Sequence, residues 1–68
     1  MKKSPTNIRL RDLRIKKELT QYQLARILGY RSNTAISRYE TGRKRPSLET
    51  AQRIALALGA TVEEVFLP

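Results

Sequence analysis

Residues 19 to 40 read LTQYQLARILGYRSNTAISRYE, and the fold turns on how this stretch divides. Leu19-Thr20 opens a helix: Thr20 as N-cap and Gln23 three residues later form a capping box, with Leu19 placed to staple against Leu24. Leu24, Ala25 and Leu28 then make a narrow apolar stripe whose small Ala admits a close neighbour, and Gly29 supplies the left-handed residue that ends a helix. Ser32 reads as the cap of the next helix, which runs through Tyr39 or Glu40. On its wheel Ala35, Ile36 and Tyr39 share one face, while Asn33, Thr34, Ser37 and Arg38 share the other. That second face is short and polar and almost free of carboxylate, the composition of a reading surface.

Outward from this pair, the rest reads as support. A first helix starts between Pro5 and Asn7, where Pro, Ser4, Thr6 and Asn7 are all suitable starting residues, and ends near Lys17. Leu10 and Leu13 form its apolar side, flanked by Ile15 or the Lys17 stem, whereas Arg9, Arg11, Asp12 and Lys16 face outward. Residues 1 to 5 read as a basic, mobile tail with nothing large to bury after Met1. Downstream, Thr41-Gly42 breaks the chain and Arg43-Lys44-Arg45 places three cations in a loop before Pro46. Ser47 caps a fourth helix with Leu48, Ala51, Ile54, Ala55 and Leu58 at core spacing, closed by Gly59. Thr61 with Glu64 makes another capping box, after which Val62, Val65 and Phe66 dock a fifth, short helix whose acidic first turn suits its dipole. No internal repeat or low-complexity segment interrupts this order.

With 68 residues there is room for one domain, residues 1 to 68, which buries roughly 60% of its unfolded surface. Without cysteine or histidine it has no disulfide and no soft-metal cluster, so helix packing must supply the stability. Apolar runs fall well short of the ~20 residues that span a bilayer and no signal-peptide pattern opens the chain, which predicts a soluble protein of the cytoplasm.

Charge narrows the function further. The net charge is +8, nine of the fourteen cations are Arg, and thirteen of them lie within residues 1 to 48, which hold only three acids. A basic body with an acidic end implies one anion-facing surface, and Arg suits phosphate and base-edge recognition better than Lys. The alternative is ordinary solvated charge. Enzymatic chemistry is disfavoured, since there is no glycine-rich phosphate loop and no paired acid and base, and the serines and threonines act as caps. No cofactor is implied. RNA binding lacks an aromatic platform among three Tyr and one Phe.

The segments L-T-Q-x-x-L-A-x-x-L-G, S-x-x-x-I-S-R-Y-E-x-G-x-x-x-P-S-L-E-T and A-L-G-A-T-V-E-E-V-F together resemble the phage repressor and Cro-like (XRE-type) helix-turn-helix family from about Arg9 to Phe66. The resemblance implies an all-α, compact five-helix, lambda-repressor-like domain whose second and third helices, about residues 20 to 40, form the helix-turn-helix. It implies binding to operator DNA, usually as a homodimer, with the third helix in the major groove and a role in transcription regulation, repression foremost. The family's base-reading positions fall on Asn33, Thr34 and Arg38, with Ser37 between them. Arg38 suits a bidentate contact to guanine, Asn33 one to adenine, and Thr34 a thymine methyl. Phosphate contacts fall on Gln21 and on Thr41, Arg43 and Lys44, where backbone amides and cations can both serve. Arg14 and Glu40 match a pair that in this family bridges the first helix to the end of the third.

Two departures from the family stand out. Tyr30-Arg31 lies between Gly29 and Ser32 where one residue is usual, a longer turn that shifts the third helix and brings Arg31 beside the DNA backbone. Leu56 replaces a usually polar residue and marks a possible dimer surface, with Val62 or Leu67 nearby. A second class of function is a protein-interaction module, antitoxin-like or adaptor, with an unidentified protein partner and secondary DNA binding. Leu56, Tyr22 and Tyr30 are its support.

Overall fold

The computed structural model describes residues 7 to 66, which form five α-helices and no strand. The basic tail, Pro5 and Leu67 lie outside the described residues. In order the elements are α1 (Ile8–Lys16), α2 (Gln21–Ile27), α3 (Thr34–Glu40), α4 (Leu48–Ala57) and α5 (Val62–Phe66). α2 and α3 form the helix-turn-helix. α1 packs against α3 and α5, α2 against α3, and α4 against α5, so the first helix braces the pair directly and the fifth joins it to the fourth. No helix among the described residues is long and apolar enough to cross a membrane.

The helix starts follow from local side-chain chemistry. Asn7 Oδ1 accepts from the Leu10 amide at 3.0 Å, and Thr20 and Gln23 exchange both bonds of a capping box at 3.0 and 2.8 Å. Ser47 accepts from the Thr50 amide, and Thr61 and Glu64 close a second capping box. Each supplies partners to amides that the helix itself leaves unpaired.

The helix ends are also alike. After each of α1 to α4 one residue takes a left-handed conformation, and the amide beyond it reaches back to a carbonyl of the last turn. Gly29, Gly42 and Gly59 occupy that position after α2, α3 and α4, but after α1 it is Glu18, with φ of 58°.

Leu10, Leu24, Ala25, Leu28, Ile36, Tyr39, Ile54, Ala55, Leu58 and Val65 form one buried cluster to which every helix contributes. Leu13, Leu19, Ala35, Val62 and Phe66 pack on its margin. Two expected core positions are corrected: Leu48 is 67% exposed and Ile15 is 51% exposed. Leu48 begins α4 one residue after its cap, before the helix has come against its neighbours, while Ile15 lies on the side of α1 turned away from Leu10. The wheel placed both near an apolar stripe, but no helix packs over either end.

The third helix also starts later than its sequence indicates. Its N-cap position belongs to Asn33, which makes no capping bond, and regular helix begins at Thr34. Ser32, the expected cap, holds only a long contact of 3.4 Å from the Thr34 amide and donates to Thr34 Oγ1 at 3.1 Å. The Asn33 side chain is drawn elsewhere, to Gln21. The connection from α2 to α3 therefore runs from Leu28 to Asn33.

Candidate nucleic-acid interface

A chain of side-chain bonds begins in the half-buried space between α1 and α3. Arg14 Nε donates to Glu40 Oε2 at 2.5 Å and its Nη2 to Oε1 at 3.3 Å, while Nη1 donates to the Leu19 carbonyl at 2.7 Å. Both side chains are nearly dry, 11% and 5% exposed. A carboxylate this buried requires such a partner, because its desolvation would otherwise dominate. Glu40 is held further by its own backbone, whose carbonyl accepts from the Asn7 amide at 2.7 Å.

The chain continues outward. Gln21 Nε2 donates to Glu40 Oε1 at 3.0 Å, and Gln21 Oε1 accepts from Asn33 Nδ2 at 3.1 Å. Arg14, Glu40, Gln21 and Asn33 thus link α1, the end of α3, the start of α2 and the start of α3. The first two residues are nearly buried, Gln21 is half-buried and Asn33 is exposed. One Nδ2 hydrogen and the Oδ1 of Asn33 remain for a ligand, a donor and an acceptor side by side.

Thr34 and Arg38 are exposed beside Asn33, and Ser37 is half-buried between them. The inner face of α3, with Ile36 and Tyr39, is buried. Burial raises the Tyr39 phenol above its ordinary 10.0, and the neighbouring Tyr30, both by charge and by a hydrogen bond, raises it further.

The loop after α3 needs a different reading from the one its sequence suggests. Thr41 N–H and Oγ1–H both bond to the Ser37 carbonyl, the hydroxyl also reaching Arg38, and Gly42 N–H bonds to Tyr39. The amides of Arg43 and Lys44 both bond to the Arg38 carbonyl, at 2.9 and 3.3 Å. These amides close the helix and point back into it, so Thr41 has no idle donor for a phosphate. What the loop offers outward is the exposed side chains of Arg43, Lys44 and Arg45.

Arg53 is a positioning residue that the sequence reading missed. Its Nη2 donates to the Leu28 carbonyl at 2.7 Å, tying α4 to the end of α2 where the turn begins. Arg31 and Arg38 both line one open hollow beside that turn. Leu56, 81% exposed, stands on the outer side of α4 with Leu48 two turns earlier.

Five helices with a braced second-and-third pair define a helix-turn-helix domain. The helix-turn-helix family matches residues 10–65, and the chain belongs to that family. Among its relatives is the HTH-type transcriptional activator BcrR of Enterococcus faecalis, 42% identical over 60 residues, 88% of this chain and 29% of that protein. The cryptic phage CTXphi transcriptional repressor RstR of Vibrio cholerae is 35% identical over 57 residues, 84% of this chain and 50% of that protein. An uncharacterized HTH-type transcriptional regulator of Archaeoglobus fulgidus is 36% identical over 59 residues, covering 87% of this chain and 82% of that protein. The chain spans half or less of the length of the first two.

Proposed function

We propose that this chain binds double-stranded DNA sequence-specifically and regulates transcription, with α3 lying in the major groove. The observation that carries the reading is the surface built by Asn33, Thr34 and Arg38. These three exposed side chains stand on one side of the helix pair, and the single acid of α3, Glu40, is buried and paired behind them. Asn33 keeps a donor and an acceptor in the pattern that adenine N7 and N6 require, Arg38 suits guanine, and the Thr34 methyl suits thymine, with Ser37 an additional contact. Gln21, Arg31, Arg43 and Lys44 meet phosphates on either side and set the register.

On this reading a homodimer places two copies of α3 in successive major grooves, roughly 34 Å apart. Leu56 and Leu48, apolar and exposed on one stripe of α4, are the surface through which the copies meet. Occupying a promoter is enough for repression, the mode that the name of RstR states for that protein. The name of BcrR states activation, so a reporter assay on the regulated promoter decides the direction.

Selection of bound sites from random duplexes tests the proposal. The expected product is a palindrome with half-sites about one helical turn apart. Recovery of no common sequence would refute specific binding.

A further inference from the structure

Glu40 is 4% exposed and out of reach of any ligand, yet its chemistry runs outward to the surface. An ionised carboxylate accepts hydrogen bonds and donates none. Glu40 Oε1 therefore takes the Nε2 end of the Gln21 amide, at 3.0 Å, which leaves the Gln21 carbonyl oxygen turned toward the start of α3. That oxygen in turn takes the Nδ2 end of the Asn33 amide, at 3.1 Å. Reversing Asn33 alone would set its Oδ1 against Gln21 Oε1. Reversing both amides would move the same clash inward, onto the carboxylate. Arg14 closes the remaining escape, because its Nε and Nη2 hold the two Glu40 oxygens in place. Among the described residues no buried side-chain nitrogen or oxygen lacks a partner, so the observed order satisfies the whole run.

The order of the amides matters because of what an A·T pair presents. Its major-groove edge carries the N7 acceptor, the N6 donor and the O4 acceptor, so its hydrogen-bonding groups run nearly the same from either strand. An amide with a fixed donor end matches N7 and N6 in one direction only, whereas an amide free to turn over matches the pair in both. Asn33 makes no capping bond, so the bond to Gln21 alone sets its sense.

We infer that Glu40, without touching DNA, is a specificity-determining residue: through Gln21 it fixes which end of the Asn33 amide donates, and so which strand carries the adenine. The inference rests on the base-reading role proposed above for Asn33. It is compatible with a phosphate contact by Gln21, whose Nε2 keeps a second hydrogen. Glu40 is in this scheme a positioning residue, and its influence ends at one base pair.

Two variants test it. Gln21→Met keeps the side-chain length and removes both ends of the link, with the Thr20 and Gln23 capping box beside it intact. Glu40→Gln keeps the shape but offers a donor as well as an acceptor, so the sense of Gln21 is no longer dictated. Should loss of the Arg14 ion pair unfold Glu40→Gln, Gln21→Met carries the test alone. Each is compared with wild type on duplexes that hold A·T, T·A, G·C or C·G at the pair where Asn33→Ala loses discrimination. Wild type should prefer one order of A·T over the other by roughly 5- to 150-fold. Both variants should bind the two orders nearly equally. Gln21→Met should in addition bind every duplex more weakly by one factor, as a lost phosphate contact requires. Uniform weakening with the preference between A·T and T·A kept would overturn the inference and leave Gln21 a phosphate ligand only.

Nuclear magnetic resonance of the free protein reads the amide order without DNA. In wild type one side-chain amide proton of Gln21 and one of Asn33 should exchange slowly with water. In Gln21→Met the Asn33 protons should exchange as fast as those of a solvated amide. Fast exchange in wild type would overturn the fixed order, whatever the duplexes show. Protected amides in a protein with no base preference would defeat the base-reading proposal, and the specificity role of Glu40 with it, while the ordered amides stand.

Discussion

Glu18 adopts φ of 58° at the position that Gly29, Gly42 and Gly59 fill after the other helices. A side chain in this region crowds its own carbonyl at a cost of roughly 1 to 2 kcal/mol, part of which glycine returns as unfolded-state freedom. Glu18→Gly should therefore stabilise the protein by about 0.5 to 1 kcal/mol, read as a higher urea midpoint. The opposite effect belongs to Arg14. Its removal strands the buried Glu40 carboxylate, and Arg14→Ala should cost roughly 3 to 5 kcal/mol in the same measurement. An unchanged melting temperature would refute the structural role of the pair. Tyr39 adds a pH dependence. Since its folded pKa is raised above 10.0, the unfolded chain gives up the phenolic proton first as pH climbs. Its contribution is intact below pH about 10 and falls as pH rises through the folded value. Tyr39→Phe should flatten that alkaline decline in denaturation midpoints. None of these three properties is visible in local sequence alone. The Arg14 pairing came from the family resemblance, and the conformation of Glu18 and the neighbourhood of Tyr39 depend on the folded chain.

At the scale of the elements, most helix starts were legible because their causes lie within four residues. Thr20 with Gln23, Ser47 and Thr61 with Glu64 cap as their spacing indicates. Thr20→Ala should cost about 1 kcal/mol, measured by chemical denaturation. The start of α3 was not legible, since Ser32, Asn33 and Thr34 are all competent caps in sequence. Asn33 lies at the boundary without capping, its side chain donating to Gln21, twelve residues away. The loop from Thr41 to Lys44 was likewise half readable. Its cations are evident from composition, but its amides are taken up by α3, which only the path of the backbone reveals. Leu48 and Ile15 show a further limit. Periodicity marks an apolar stripe, yet where a neighbouring helix begins and ends decides whether each position is covered.

For the whole molecule, the core holds a polar relay that runs from α1 through Glu40 and Gln21 to Asn33 at the surface. The fold thereby fixes one candidate reading residue from behind while leaving Thr34 and Arg38 to solvent. The five-helix architecture followed from capping signals and apolar spacing, reinforced by resemblance across three segments. Of the relay only the Arg14–Glu40 link was expected, from the resemblance; its extension through Gln21 to Asn33 was not, because it joins residues 19 and 12 positions apart through side-chain geometry. If a dimer meets six to ten phosphates, its affinity for duplex should fall by roughly 10³ to 10⁵ between 50 and 200 mM salt. The most direct test of the central claim compares wild type and Asn33→Ala on a panel of single-base variants of the selected site. The account predicts that wild type loses about 1 to 3 kcal/mol at the base pair Asn33 reads, and that the variant no longer discriminates there while keeping its preferences elsewhere. Equal weakening on every duplex, or discrimination unchanged at all positions, would contradict it.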